Sequence, residues 1–441
     1  MTKPLSLFVA LLLMSSGWAA AFLLASNPSA SQSYWLIPAL TIGMAIGLCL
    51  RFINGKRVAL LLALTAAIGL ASVNQFFPEN RVSLESARSF FSGDNPQRNL
   101  KQLIVAERFQ TPPFDEPMTL TSPVSLELSL FARLPAGVAD FCFSSEGALY
   151  ASLPGLGAVY RVRTTLPAES GAAELFLHSL NNPSGMACNA NQLLVSVSSQ
   201  ILAFPYTGGP GKLLIDRLPD DGGELSHHLL QTSAGLLFSI GSRCDACNEN
   251  DPLRGTVQLL GIDGRLHPYA KGLRNLGGLS INVMDGSIWV TERSRLYPEP
   301  GAADELNCLR PEADYGWPLC DGNATTEALE SLCRDATLAE VKFQSRANPT
   351  GLIATSTLSF PLVYKDSLLV VLQGDSKYSI VPAVVRLQFS EGKVGEPVAF
   401  LGGWDGKTAR PSAIQAGPDG AIYIADEING AIYRAAWHQP N

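Results

Sequence analysis

The stretch GLRNLGGLSINVMDGSIWVTE, residues 272–292, sets a cation and an amide, Arg274 and Asn275, at the mouth of a short strand. Neither adds anything to the apolar core of a sheet. They face solvent, or they face something that needs a positive charge and a hydrogen-bonding group together. Other groups able to do chemistry stand nearby. DDGGELSHHLL (220–230) holds Glu224, His227 and His228, where the histidines could equally be polar residues capping a strand. An acidic pair, Asp304 and Glu305, opens DELNCL. Cys244 and Cys247 are two residues apart, with no following histidine to make a haem attachment site, and zinc would need two more clustered ligands.

These residues belong to a weak internal repeat. EGALYASL (146–153), NQLLVSVS (191–198), AGLLFSIG (234–241), DGSIWVTE (285–292), KDSLLVVL (365–372) and DGAIYIAD (419–426) each read as a turn followed by a strand. Most lie 43 to 54 residues apart, and further strands flank several of them. Units of that size with three or four short strands predict propeller blades. The fold class is therefore all-β, a six-bladed β-propeller over about 123–441, with a β-sandwich as the competing arrangement. A long insertion at about 293–355 separates the fourth and fifth phrases.

Ahead of the repeats the chemistry changes. The chain has 441 residues, 46% hydrophobic and 16% charged, and residues 4–50 contain no charged side chain. Apolar runs at 5–25, 34–50 and 58 to about 77 suit helices crossing a hydrocarbon core of about 30 Å. Residues 1–77 thus read as an N-terminal helical transmembrane region of two or three spans, the first of which could instead be a cleaved signal peptide. Lys3 and the three cations of RFINGKR (51–57) belong in the cytoplasm by the positive-inside rule. Everything after the last span is then exterior, on the periplasmic or extracellular side of an inner membrane. Residues 78–122 form a linker, with QLIVAERF as a candidate outer strand. Seven of eight cysteines lie in the exterior part, where disulfides persist. Cys244–Cys247 and Cys320–Cys333 are expected to close, Cys142 and Cys188 fall in neighbouring repeats, and Cys308 is the expected odd thiol. A net charge of −7 provides no broad basic surface for nucleic acid.

Three segments carry a resemblance: residues 272–292, DELNCLRPEADYGWP (304–318) and RPSAIQAGPDGAIYIADEINGAIYR (410–434). They resemble the soluble quinoprotein glucose and sorbosone dehydrogenase family, six-bladed propellers that hold pyrroloquinoline quinone (PQQ) and calcium at one end of the axis. CDACNENDPLRG (244–255) looks like the cysteine-bearing insertion of the sorbosone-type branch. The resemblance implies cofactor-binding roles for Arg274, Asn275, Lys377 and Arg410, since a tricarboxylate needs fixed cations and amides. It implies calcium near Asp304 and Glu305. The family's catalytic histidine has no unambiguous match: one alignment puts Glu224 there, and a short gap puts His227 or His228 there. The implied activity is oxidation of a sugar or aldehyde, with a respiratory electron acceptor as partner. A non-enzymatic propeller that binds a sugar, glycan or exterior protein, and a metal-dependent lactonase or hydrolase, stay open beside it.

Overall fold

The computed structural model describes residues 100–437 except 124, 167–168, 224–226, 298–301, 321–332 and 391. Six antiparallel sheets stand around one axis, each numbered here as a blade. Blade 1 is built from Asp140–Phe143, Leu149–Leu153, Ala158–Leu166 and Glu169–Leu177. Blade 2 comprises Met186–Cys188, Gln192–Val197, Gln200–Pro205 and Lys212–Ile215. Blade 3 runs through Leu229–Thr232, Gly235–Ile240, Thr256–Gly261 and Leu266–Lys271. Blade 4 holds Leu276–Ile281, Ile288–Glu292, Glu305–Leu309 and Val341–Lys342. Blade 5 has Pro349–Ala354, Ser367–Leu372, Ala383–Ser390 and Val398–Leu401.

Blade 6 closes the ring. Its first three strands, Pro411–Ala416, Ile422–Asp426 and Ala431–Trp437, come from the end of the chain, and its outermost strand, Leu126–Arg133, comes from before blade 1. Tyr433 lies opposite Leu130 and Trp437 opposite Leu126. This pairing covers an edge that would otherwise be a template for association. The sequence LELSLFAR suits the position because Leu126, Leu128 and Leu130 point into the core while Glu127 faces out. QLIVAERF contributes less than an outer blade strand. Leu100–Gln102 pairs only with Thr119–Thr121, and Leu100 and Ile104 stay exposed.

All six repeated phrases become the second strand of a blade. Such a strand is packed on both faces by neighbouring blades, so its side chains are apolar without alternation. Leu149–Leu153, Gly235–Ile240, Ile288–Glu292 and Ile422–Asp426 are buried along their whole length. Six apolar clusters fill the gaps between adjacent blades; between blades 6 and 1, Phe131 meets Tyr423 edge-on at 4.9 Å.

The insertion after blade 4's second strand is not a separate lobe. Ala313–Asp314 pairs in parallel with the outer strand of blade 3, and the Tyr315 hydroxyl donates to the Cys308 carbonyl at 2.6 Å. Within the insertion, the stretch TEALESLCRDA (326–336), whose composition predicts a partly helical segment, falls largely within 321–332, outside the described residues. Three disulfides form: Cys142–Cys188, Cys244–Cys247 and Cys320–Cys333, leaving Cys308 as the free thiol among the described residues. The first staples the inner strands of blades 1 and 2. The three apolar runs of the N-terminus lie outside the described residues, and among the described residues no helix is long and apolar enough to cross a membrane.

Candidate functional site at the propeller axis

The inner strands start around the axis and leave a cavity of about 150 Å³ to which every blade contributes. Blade 1 supplies Ala139 and Asp140, blade 2 Ser184 and Gly185, and blade 3 His228. Blade 4 supplies Gly277 and Arg293, blade 5 Thr350 and Gln373, and blade 6 Ser412 and Glu427. Small residues occur here because the inner strands touch. A Cβ on Gly185 would sit 1.8 Å from the His227 carbonyl oxygen, and one on Gly277 equally close to that of Pro349. With the walls that tight, the few long side chains are what give the cavity its chemistry.

The structure separates the two histidines. His227 is fully buried, with Nδ1 2.9 Å from the Ser239 carbonyl and Nε2 3.2 Å from that of Ser198. It ties blade 3 to blade 2, and burial pushes its pKa down. His228 instead faces the axial cavity, while its backbone pairs with Ser239. Burial first, then Arg293 and His227, push its pKa down to about 4, so the ring is neutral at pH 7 and able to accept a proton. Glu224, the third candidate, lies outside the described residues.

Sequence reasoning missed Asp140. Its Oδ1 accepts from the Phe141 amide at 2.8 Å and its Oδ2 from the Met186 amide at 2.9 Å. Burial nonetheless outweighs these donors and raises its pKa to about 7. The available signal was a lone carboxylate in the apolar inner strand VADFCF. His228 and Asp140 thus bring two titratable groups to one cavity with pKa values moved in opposite directions, the pattern that assigns acid and base roles.

None of the four candidate cofactor residues lines this cavity itself. Arg410 forms an ion pair with Glu427, which lines it, and its backbone N–H donates to Asp426 at 3.0 Å. Lys377 is exposed on a short 3-10 turn after Gln373, its side chain 5.1 Å from the Tyr378 ring. Arg274 and Asn275 are both buried, not solvent-facing. The Asn275 carbonyl accepts from the Arg293 amide at 2.8 Å, and the Arg274 guanidinium is bound by Asp245.

Asp304 and Glu305 part company. Asp304 joins blades 4 and 5, accepting from the Ser294 amide at 2.9 Å and the Asn348 amide at 2.8 Å. Burial raises its pKa to about 6. Glu305 lies opposite Glu292 on the neighbouring strand, and the Asn307 amide nitrogen reaches both, at 3.3 and 3.4 Å. Burial, and then Glu305, hold the Glu292 carboxyl well above the usual carboxylate range. Asn307 Oδ1 is buried with no hydrogen-bond partner. The two carboxyls are hard-oxygen groups of the kind a divalent cation such as calcium takes, with the Asn307 amide between them. Glu292 and Asn307 were not among the metal candidates read from the sequence.

Comparison with known proteins bears on the fold and on part of the sequence. Residues 231–434 match the family described as Glucose / Sorbosone dehydrogenase. No curated protein sequence matches the chain. Among solved structures, the holo pyranose dehydrogenase PQQ domain from Coprinopsis cinerea aligns with a TM-score of 0.63 at 12% identity, over 76% of this chain and 100% of its own. A Trichoderma reesei protein of Carbohydrate-Active Enzymes Family AA12 gives 0.60 at 17% identity, covering 72% and 97%. The apo soluble aldose sugar dehydrogenase from Escherichia coli gives 0.57 at 13% identity, covering 71% and 100%. At these identities the structural likeness speaks for the fold, and the sequence match covers most of blades 3 to 6, without the Leu126–Arg133 strand. The resemblance read from the motifs agrees with that match: the chain is a six-bladed propeller whose residues 231–434 are similar to the glucose/sorbosone dehydrogenase family.

Proposed function

We propose that the chain is a quinoprotein dehydrogenase that oxidises a sugar or aldehyde with PQQ and calcium, anchored by residues 1–77 with its propeller on the exterior face. The observation that carries the reading is the axial cavity, where His228, Asp140 and Arg293 converge from three blades. A quinone cofactor suits the residues present. Thr350 Oγ1 is buried at this cavity without a hydrogen-bond partner, Arg293 lines it, and Arg410 pairs with its wall residue Glu427. Glu292, Glu305 and Asn307 would hold calcium. The chemistry such a quinone supplies when bound is acceptance of two electrons from the substrate alcohol. His228 would take the hydroxyl proton at a ring nitrogen. The small-residue walls would limit water around it, and a respiratory carrier would remove the electrons.

Calorimetry with PQQ and calcium tests the assignment. Wild type is expected to bind the quinone in the presence of calcium. Glu305→Gln is expected to need about ten- to hundred-fold more calcium, the range seen when groups supporting a metal site are removed. A second reading, a propeller that binds an exterior sugar or glycan without turnover, is favoured by the pairing of Arg274 with Asp245. No quinone binding at large cofactor excess would leave that second reading in place. For the anchor, a reporter fused after Asn441 is expected to read as exported; a cytoplasmic readout would overturn the topology.

A further inference from the structure

Arg274 is engaged all round its guanidinium. Nε donates to the Asp245 carbonyl at 3.1 Å, and Nη1 to the carbonyls of Arg293 and Ser294, both at 3.2 Å. Nη2 lies 3.2 Å from Asp245 Oδ1. The same carboxylate takes two consecutive backbone amides: Oδ1 accepts from Leu296 at 2.8 Å and Oδ2 from Tyr297 at 2.9 Å. Two successive N–H groups and one guanidinium, converging on both oxygens of a single carboxylate, form an anion receptor.

The occupant of this receptor is part of the chain, but not of the elements that build it. Asp245 sits inside the ring closed by Cys244–Cys247, on a loop of blade 3, whereas the receptor belongs to the loops around blade 4. The disulfide presents the carboxylate on a short rigid tip. The Arg274 side chain is 10% exposed and that of Asp245 30%, so solvent reaches the pair from the Asp245 side. Withdrawing the tip would leave a buried guanidinium and two amides without their acceptor. That costs more than exposing a surface pair and favours any carboxylate able to enter.

We propose that Arg274, Leu296 N and Tyr297 N form a carboxylate receptor that the chain fills with its own Asp245, and that Asp245 thereby sets the affinity for external carboxylate ligands at this site. The receptor follows from the contacts alone. That its natural ligand is the tricarboxylate quinone rests on the function proposed above.

The test is rescue by a small carboxylate. In the full chain, Asp245→Ala is expected to melt below wild type in sodium chloride. Sodium acetate at equal ionic strength should raise its midpoint by about 2 °C or more while leaving wild type unchanged. Asp245→Ser, which clears most of the side chain from the receptor, gives the same reading if the alanine variant does not accumulate. An acetate response equal in variant and wild type would overturn the proposal, because a merely structural clamp loses stability without gaining carboxylate selectivity. PQQ titration forms the second arm. Binding about ten-fold tighter in Asp245→Ala than in wild type supports both the receptor and the quinone reading. Acetate rescue with no quinone binding in either protein keeps the receptor and removes the quinone. Equal quinone affinity in both overturns the role of Asp245 in setting affinity.

Discussion

His228→Gln is expected to lower kcat by roughly 10²- to 10⁴-fold, the range that a positioned general base contributes, while leaving the melting temperature close to that of wild type. The ring faces the axial cavity, and its backbone hydrogen bonds to Ser239 survive the substitution. His227→Gln is the control with the opposite signature, since its ring spans two blades between the carbonyls of Ser198 and Ser239. It should lose stability before it loses chemistry. The pH sign follows from the direction of the shift. Because the folded pKa of His228 is lowered to about 4, its contribution to stability is present above the unfolded value near 6.5 and is lost as pH falls through about 4. The acid limb of the rate should lie in that same low range. Full turnover by His228→Gln on aldoses or aldehydes would remove this residue from the reaction.

Asp140→Asn is expected to flatten the pH dependence of stability between about pH 4 and 7. The folded pKa of Asp140 is raised to about 7 by burial, so the stability of the protonated form is complete below the unfolded value and is lost as pH rises through 7. The full excursion, from about 3.9 to about 7, corresponds to something on the order of 4 kcal/mol. Asparagine cannot ionise and avoids that loss. Its amide would replace one of the two acceptor oxygens now serving Phe141 and Met186, which costs some stability at every pH. The slope of the difference is therefore the decisive quantity. His228, Glu292 and Asp304 titrate in both proteins and cancel in the comparison. Denaturant unfolding at pH 4.5 and pH 8 measures it, and parallel profiles would mean that Asp140 does not carry the proton.

The blade pattern was legible because it is local. DGSIWVTE and its five counterparts are apolar without alternation, for the physical reason that each second strand is covered on both faces by its neighbours. The Cys320–Cys333 and Cys244–Cys247 pairs were legible for a similar reason, since short loops bring their ends together. The motifs around Arg274 and DELN likewise carried their resemblance in contiguous residues, inside the matched segment 231–434.

What depended on register or ring closure was not legible. His227 and His228 are consecutive residues leading into the inner strand of blade 3, and one position exchanges a wall-bound ring for a cavity-facing one. Glu292 and Glu305 are 13 residues apart in sequence and become a pair only when their strands align. Asp140 reads as one carboxylate in an apolar strand until the inner strands surround it and strip away part of its water. Cys142 finds Cys188 because blades 1 and 2 are adjacent around the axis. Arg274 and Asn275 declared by type alone that they needed a partner. That Arg274 meets Asp245 was decided by a disulfide-closed loop folding over from the preceding blade, since a buried guanidinium takes whichever carboxylate the tertiary structure delivers to it.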